Sequence, residues 1–281
     1  MKKGLEVKLK RIFLYFFVTI FLFFFLFPLY WILLTSLQEK ESLFVKGLSL
    51  IPRELTLKNY IDLFSKEKFN VIGALLNSIR VSSITTIVCI ILGILSSYAF
   101  ARLKFRGSSK IFYLLIFTEM LPPISLLIPF YIIFKKTQLL NTWYGLSIGY
   151  IAWLLPIITW ILYGYFRSIP QDLEDAARAD GCSRIGALFR IVLPVSAPGI
   201  VASGIVCFMF SMGEFLFAVT ILTNQKAHTL PVELTVFLSK YAIEYGKITA
   251  TAVFTLIIPV VLALIFQKYL IEGLTKGAVK E

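Results

Sequence analysis

Three ionisable side chains lie inside long apolar stretches of the sequence, away from their C-terminal ends: Arg80, Glu119 and Glu214. A charge that faces lipid is costly, so such residues usually face the protein interior or a polar path and are candidates for solute contacts. A carboxylate accepts hydrogen bonds on both oxygens, which suits a solute with neighbouring hydroxyl groups. Glu214 lies near the middle of its stretch and is the first candidate for such a contact. Its neighbours are Ser211, Met212 and Gly213.

The other two charges have alternative explanations. Arg80 lies near the end of its stretch, where a long side chain can extend to the membrane surface. Glu119 precedes Pro122 and Pro123, where a broken helix would free backbone carbonyls. A structural polar contact between helices explains Glu119 equally well.

Asn77, Tyr150 and Trp153 add further candidates for solute contacts, since an amide can bind hydroxyl groups and aromatic rings can stack on a ring-shaped solute. Tyr and Trp near the ends of apolar stretches also form the interfacial belt of membrane proteins, which is the alternative. The three cysteines and the single histidine show no spacing typical of a metal site. We expect no catalytic site, no metal site and no disulfide.

Composition places these residues in a membrane protein. Apolar residues make up 58% of the chain and the mean hydropathy is +0.83, against roughly 45–50% apolar residues in soluble domains. The formal net charge of +12 would suggest a nucleic-acid partner for a soluble protein. Here the basic residues flank apolar stretches, which indicates topology and contact with anionic lipid. We therefore expect no nucleic-acid partner.

Apolar stretches of about 20 residues can cross a hydrocarbon core roughly 30 Å thick. The stretches are continuous rather than alternating, which favours helices over a barrel. The predicted fold is an all-α membrane protein that forms a single domain over residues 1–281, with an uncleaved first span. Its six predicted spans lie near residues 12–34, 77–100, 111–134, 144–166, 198–222 and 248–270.

The basic residues predict the orientation. With a cytoplasmic N-terminus, the inside segments carry 16 Lys and Arg residues and the short outside loops carry 5, in line with the positive-inside rule. Both termini are then cytoplasmic, as is the loop between the fourth and fifth spans.

The outside loops, 35–76 and 223–247, are less informative. Short helices are expected near 57–64 and after His228, and the second loop is either a partner contact or a connector.

Residues 170–194, called here the charged segment, interrupt the apolar second half of the chain. Pro170 suits the first helical position, and the acidic residues after it stabilise a helix N-terminus. Gly181 allows a turn, and apolar residues then recur at helical spacing until Pro194. These residues are Ile185, Leu188, Phe189 and Val192. The prediction is a helix, a turn and a second amphipathic helix at the membrane surface, shaped to fit a socket in another protein.

The charged segment resembles the EAA loop of ATP-binding-cassette (ABC) importer permeases, in which E-A-A is followed by three residues, Gly, nine residues and I-x-L-P. The matching positions are Asp175, Ala176, Ala177, Gly181, Ile191, Leu193 and Pro194. Asp175 replaces the family's Glu, and Glu174 precedes it.

Residues 77–107 and the tail 267–281 resemble the second span and the C-terminus of the maltose-type second permease of the carbohydrate-uptake branch. The sequence SMGEF at 211–215 stands where that branch has S-W-N-D/E-F, so the acid is kept and the Trp and Asn are lost.

The resemblance implies the type I ABC importer transmembrane fold and a permease subunit of a sugar importer in the inner membrane. It also implies three kinds of partner: a second homologous permease, two ATPase subunits and an extracytoplasmic sugar-binding protein. The sequence contains no G-x-x-x-x-G-K-S/T phosphate loop, so we expect no cofactor in this chain, with ATP and Mg bound by the ATPase subunits.

The charged segment would then dock on the ATPase and transmit its closure as rigid-body motion. The tail after Gln267 would also reach the ATPase. The docking residues implied are Glu174, Asp175, Ala176, Ala177, Asp180, Gly181, Ile191, Leu193 and Pro194.

Two other classes of protein fit less well. An ion-coupled secondary transporter is expected to show an inverted repeat, and we see none in the sequence. A membrane enzyme requires a cluster of catalytic groups at one depth, which the scattered acids do not form. Within the importer class, the alternative substrates are glycerol phosphate, a polyol, an amino acid or another small solute.

Overall fold

A computed structural model of the chain describes residues 2–45, 54–64, 70–103, 105–238 and 243–278. Most of these residues are helical, and the sole strand-like feature among them is an isolated bridge between Leu238 and Ile243. The predicted all-α fold is confirmed. Parts of both predicted outside loops and the end of the C-terminal tail, residues 279–281, lie outside the described residues.

The helices follow in chain order. They are α1 (Lys2–Ser36), α2 (Lys40–Val45), α3 (Lys58–Leu63), α4 (Val71–Arg102), α5 (Ser108–Phe117), α6 (Pro123–Lys136), α7 (Trp143–Ser168), α8 (Gln171–Ala179), α9 (Arg184–Ala187), α10 (Leu193–Val195), α11 (Ala197–Gly213), α12 (Leu216–Ile221), α13 (Leu230–Glu233) and α14 (Tyr245–Ala278). The shorter elements within the described ranges are three 3-10 turns, Thr118–Met120, Gln225–Ala227 and Leu234–Phe237, and one π-helical turn, Leu188–Val192. The two short helices predicted in the outside loops correspond to α3 and α13.

Four helices are each long and apolar enough to cross a membrane: α1, α4, α7 and α14. Two bent helix pairs pass the same test, residues 108–120 with 123–136 and residues 184–195 with 197–213. The described residues therefore contain up to six spans if each pair is one span. One pair joins α5 and its 3-10 turn to α6 with a bend of 96° after Met120. The predicted third span is therefore not straight, because Pro123 cannot donate the backbone hydrogen bond that would continue the helix.

The predicted fifth span, 198–222, is also interrupted. α11 ends at Gly213, and Glu214 has an extended backbone with φ −71° and ψ 133°. The cause is local, since the Glu214 carboxylate accepts hydrogen bonds from the N–H groups of Phe217 and Ala218, at 2.8 and 3.1 Å. A side chain that binds these groups caps a new helix, α12, instead of continuing the previous one.

Two compact units divide the chain: residues 1–69 with 234–254, and residues 70–233 with 255–281. In the first unit, the Asn59 side chain donates to the carbonyls of Ser36 and Gln38, at 3.0 and 2.9 Å. The hydroxyls of Ser36 and Tyr60 share a hydrogen bond of 2.7 Å. These contacts hold α3 against the end of α1.

The core of the second unit lies between α4, α7 and α11. Fully buried residues from the three helices include Cys89, Ile158 and Cys207. Gly93 of α4 allows a close approach to α7, since a Cβ at this position would stand 2.9 Å from Ile158 Cγ2. The hydroxyls of Ser96 and Thr159 share a hydrogen bond of 2.8 Å across the same interface. Of these helices, α4 carries residues that contact Glu174 and α7 carries a residue that contacts Glu214, as described in the next subsection.

Candidate functional site

The charged segment folds into a helix, a turn and a second helical arm, as predicted. Pro170 directly precedes α8 instead of taking its first position. The C-terminus of α8 is a Schellman motif, in which Gly181 N–H donates to Arg178 O (3.1 Å) and Cys182 N–H donates to Ala177 O (3.0 Å). Gly181 has a φ of 91°, which residues with a Cβ rarely adopt. The turn therefore depends on glycine.

The second arm starts after Ser183, whose hydroxyl accepts a hydrogen bond of 3.1 Å from Gly186 N–H. It continues through α9, the π-helical turn and α10 to Val195, so Pro194 does not end it. Pro194 falls in the first turn of α10, directly after the π-helical turn. The direction of the chain changes only after Val195, with a bend of 77° before α11.

The apolar stripe predicted for this arm is divided between two faces. Leu188 and Val192 are buried, and they pack in a cluster with Tyr98 and Phe166. Ile185 and Phe189 instead point outward and are 69% and 61% exposed. The arm thus has an inner face that attaches it to the helix ends and an outer apolar face.

The two adjacent acids of α8 lie in opposite environments. The Tyr98 hydroxyl donates to Glu174 Oε1 at 2.5 Å, and Arg102 Nε lies 3.3 Å from Glu174 Oε2. Both side chains of this ion pair are only 8% exposed. Arg102 also donates through Nη2 to the carbonyl of Ile169, at 2.7 Å. Asp175, by contrast, has a side chain that is 54% exposed. Glu174 therefore anchors α8 to α4, while Asp175 lies on the surface.

The remaining positions implied by the EAA resemblance lie on or beside this surface. The exposed ones are Ala176, Asp180, Gly181 and Pro194, and the half-buried ones are Ala177, Ile191 and Leu193.

Glu214 and Tyr150 are brought together by the structure. The hydroxyl of Tyr150, a fully buried residue, donates to Glu214 Oε2 at 2.7 Å. With the two backbone N–H groups that it caps, the Glu214 carboxylate accepts three hydrogen bonds from the protein. These hydrogen bonds stabilise the interruption between α11 and α12, which the sequence did not predict.

The residues around this break differ in exposure. Ser211 and Met212 are buried, while Gly213 is exposed and has open space where a Cβ would be. Trp153 is half-buried and stacks on Phe217, with 6.2 Å between the ring centroids and 21° between the ring planes. The buried hydroxyl of Ser211 has no hydrogen-bond partner among the described residues.

Glu119 and Arg80 have separate surroundings. Glu119 is half-buried in a 3-10 turn that packs against α7, near the backbone of Ile157. A structural polar contact between helices stays a prediction for this residue. The Arg80 guanidinium lies 5.8 Å from the ring centroid of Trp143, a cation–π geometry at the N-terminus of α7.

Asn77 is engaged with the second outside loop. Its side-chain amide donates to the carbonyls of Lys226 and His228, both at 3.1 Å. The structure therefore gives Asn77 a contact within the protein and does not direct its amide toward Glu214.

Sequence reasoning missed Glu233, a fully buried acid. Its Oε1 accepts hydrogen bonds from Asn70 N–H (3.1 Å) and from the Gln225 side chain (2.9 Å). Its Oε2 lies 2.9 Å from His228 Nδ1. The available signal was an acid among the apolar residues of a short predicted helix. In the part of the chain that the structure describes, no three His, Cys, Asp or Glu side chains form a group that could hold a metal ion.

The sequence matches the family model of the binding-protein-dependent transport system inner membrane component over residues 89–276. The chain belongs to this family. It is a multi-pass membrane component of a transport system, and the relatives it matches are transport permeases rather than enzymes.

Two relatives illustrate the match. The chain is 38% identical to the sulfoquinovosyl glycerol transport system permease protein SmoH of Agrobacterium fabrum, over 91% of this chain and 89% of that protein. It is 36% identical to the trehalose/maltose transport system permease protein MalG of Thermococcus litoralis, over 91% of each.

A solved structure shares the fold. The crystal structure of a bacterial ABC transporter involved in the import of the acidic polysaccharide alginate aligns with a TM-score of 0.77 and 19% identity, over 94% of this chain and 97% of that chain. The predicted ABC importer transmembrane fold is confirmed by this likeness.

Proposed function

We propose that the chain is the permease subunit of an ATP-driven sugar importer. The observation that carries the proposal is its 36–38% identity, over 91% of its length, to permeases named for trehalose, for trehalose and maltose, and for sulfoquinovosyl glycerol. The substrate class is then a disaccharide or a glycosyl glycerol. Glycerol phosphate, a polyol or an amino acid is the second candidate class.

The proposed partners are a second homologous permease, two ATPase subunits and an extracytoplasmic sugar-binding protein. The family description, which names binding-protein-dependent transport, supports the last of these. A crystal structure of an alginate ABC transporter in complex with a periplasmic protein, with a TM-score of 0.72, supports the same arrangement. ATP and Mg are assigned to the ATPase subunits, because this sequence has no phosphate-binding loop.

The proposed topology has both termini and the charged segment in the cytoplasm. The excess of Lys and Arg in the corresponding segments supports this orientation. Residues 1–281 then form one transmembrane domain in the cell membrane, in contact with anionic lipid and with no nucleic-acid partner.

The charged segment is proposed to dock on an ATPase subunit. Glu174, Leu188 and Val192 attach its inner face to the ends of α4 and α7. The segment is therefore suited to move as a rigid body with these helices. Its outer face presents the apolar side chains of Ile185 and Phe189. Aromatic residues are enriched at protein interfaces, where an aromatic or aliphatic side chain fills a pocket of the partner.

The proposed substrate path passes the break between α11 and α12. Interrupted helices in transporters often mark the place where a solute passes, since the break leaves backbone groups free. The candidate lining residues are Ser211, Met212, Gly213, Glu214, Tyr150 and Trp153. In this proposal Glu214 acts mainly by shaping the break, while the hydrogen bonds of Asn77 and the position of Glu119 beside α7 favour structural roles for those two residues.

Sugar uptake tests the proposed function. Cells that carry the chain with its native partners should take up labelled trehalose, maltose or a glycosyl glycerol, and cells without the chain should not. Uptake should persist when a protonophore removes the proton gradient while ATP is maintained, and it should stop when ATP is depleted. Uptake that follows the proton gradient would favour a secondary transporter, and uptake of glycerol phosphate alone would favour the second substrate class.

A further inference from the structure

The C-terminal end of α4 is bound to α8 through buried polar groups. Tyr98 and Arg102 lie four residues apart on one face of α4, and both contact the carboxylate of Glu174. Arg102 also donates through Nη2 to the Ile169 carbonyl, which fixes the position of its guanidinium group. Its Nε and Glu174 Oε2 have no hydrogen-bond partner among the described residues, so the 3.3 Å contact between them is held by opposite charge. α8 is therefore attached to this end of α4 by two contacts to one carboxylate.

The N-terminal end of α4 is bound to residues 225–233 in a similar way. Glu233 accepts a hydrogen bond from the N–H of Asn70, which directly precedes α4. The Glu233 carboxylate therefore lies at the positive end of the α4 helix dipole. Asn77 donates to two carbonyls of the same segment, and the Ser78 hydroxyl accepts the Leu230 N–H at 2.7 Å. The first two turns of α4 and this segment are thus one hydrogen-bonded body.

α4 itself is suited to connect the two ends. It has 32 residues, which corresponds to roughly 48 Å at about 1.5 Å per residue. Among the described residues, three other helices could each span a membrane, and all three contain a proline, at Pro28, Pro156 and Pro259. α4 contains none, so its ladder of backbone hydrogen bonds has no missing donor where it could hinge.

We propose that α4 is a strut that links α8 to residues 225–233, with Glu174 and Glu233 as the positioning residues at its two ends. The inference rests on the proposed function for the source of the motion, which is the ATPase that docks on the charged segment. A displacement of α8 is then delivered to residues 225–233, which lie on the other side of the membrane in the proposed topology.

Distance measurements between two spin labels test whether α4 keeps α8 and residues 225–233 at a fixed distance. The labels would be placed at Asp172→Cys in α8 and Lys226→Cys in the second outside loop, both exposed positions. Cys182→Ser removes the partly exposed cysteine, and Cys89 and Cys207 are buried. In the purified complex we expect one narrow distance distribution, unchanged when a non-hydrolysable ATP analogue is added.

The two anchor variants give the decisive comparison. Glu174→Gln and Glu233→Gln should each broaden the distance distribution, and Glu233→Gln should also raise the mobility of the distant label at position 172, which a purely local structural role would not do. The surface variant Glu39→Gln, whose side chain is 47% exposed, is the control that should leave both readouts unchanged.

If an anchor variant fails to fold, Tyr98→Phe and Asn77→Ala remove hydrogen bonds at the two ends without leaving a charge unpaired, and the same broadening is expected. Narrow distributions in all anchor variants, or a shift of the unmodified distance on nucleotide binding, would overturn the strut. A purified sample without ATPase subunits would overturn the proposed function instead, since the label distance could still be measured without nucleotide.

Discussion

The Tyr98 hydroxyl donates a hydrogen bond of 2.5 Å to Oε1 of Glu174. With the 3.3 Å pair between Glu174 and Arg102, this contact attaches α8 to α4 through groups that are shielded from water. The resemblance to the EAA loop aligned the family's leading acid with Asp175, which is exposed. Two acids one position apart therefore have different roles, one in the attachment of the charged segment and the other on its surface.

The first prediction concerns stability. Glu174→Gln should lower the free energy of unfolding by about 3 kcal/mol, because it leaves the buried Arg102 without its counter-charge. Asp175→Asn should change it by less than about 0.5 kcal/mol, as expected for a surface site. Thermal unfolding of the purified protein in detergent measures both. Equal effects of the two substitutions would show that the Glu174 ion pair is not an anchor.

The second prediction concerns the turn of the charged segment. Gly181→Val should uncouple ATP hydrolysis from sugar uptake while the protein stays in the membrane, since a Cβ at a φ of 91° distorts the Schellman motif. The ratio of sugar transported to ATP hydrolysed in proteoliposomes is the readout. Gly164→Ala is the matched control, because Gly164 is helical and has open space where a Cβ would stand. A normal ratio in the Gly181 variant would count against docking through this turn.

The third prediction concerns the break in the fifth span. Glu214→Ala removes the cap of α12, which should cost about 1 kcal/mol, and lowers sugar uptake without loss of the ATPase subunits. Tyr150→Phe removes one of the same hydrogen bonds, so the double variant should be less destabilised than the sum of the two single variants. Tyr144→Phe, at an exposed tyrosine, is the control. Unchanged uptake in Glu214→Ala would remove this residue from the substrate path.

The fourth prediction concerns topology. In a background with Cys182→Ser, a membrane-impermeant maleimide applied to intact cells should label Lys226→Cys and should not label Asp175→Cys. Both positions are exposed, so access to the reagent decides the result. Labelling of the cysteine at 175 from outside would reverse the orientation that the basic residues predict.

Much of the fold could be predicted from apolar length alone. The stretches that became α1, α4, α7 and α14 are long enough to span a membrane whatever their neighbours are, because backbone groups in lipid must be paired within the helix. The adjacent prolines at 122 and 123 also carried a local signal for the break that bends α5 and α6 by 96°.

The parts that could not be predicted depend on tertiary contacts. The break at Glu214 has no proline beside it, and it forms because the side chain competes for backbone N–H groups and is held by Tyr150 from another helix. Similarly, helical periodicity grouped Leu188 and Phe189 in one apolar stripe, although only the first is buried. Successive helical residues point about 100° apart, so the position of α4 decides which side chain faces inward. The same argument applies to Glu174 and Asp175.

Site-specific photo-cross-linking tests the central claim, that the charged segment docks on an ATPase subunit. A photoreactive phenylalanine analogue at Phe189, which is 61% exposed, should capture in native membranes a protein that carries a G-x-x-x-x-G-K-S/T phosphate loop. The same analogue at Phe166, which is fully buried, should capture none. Capture of an ATPase at position 189 is the result we predict, and the absence of any ATPase among the products at position 189 would contradict the account.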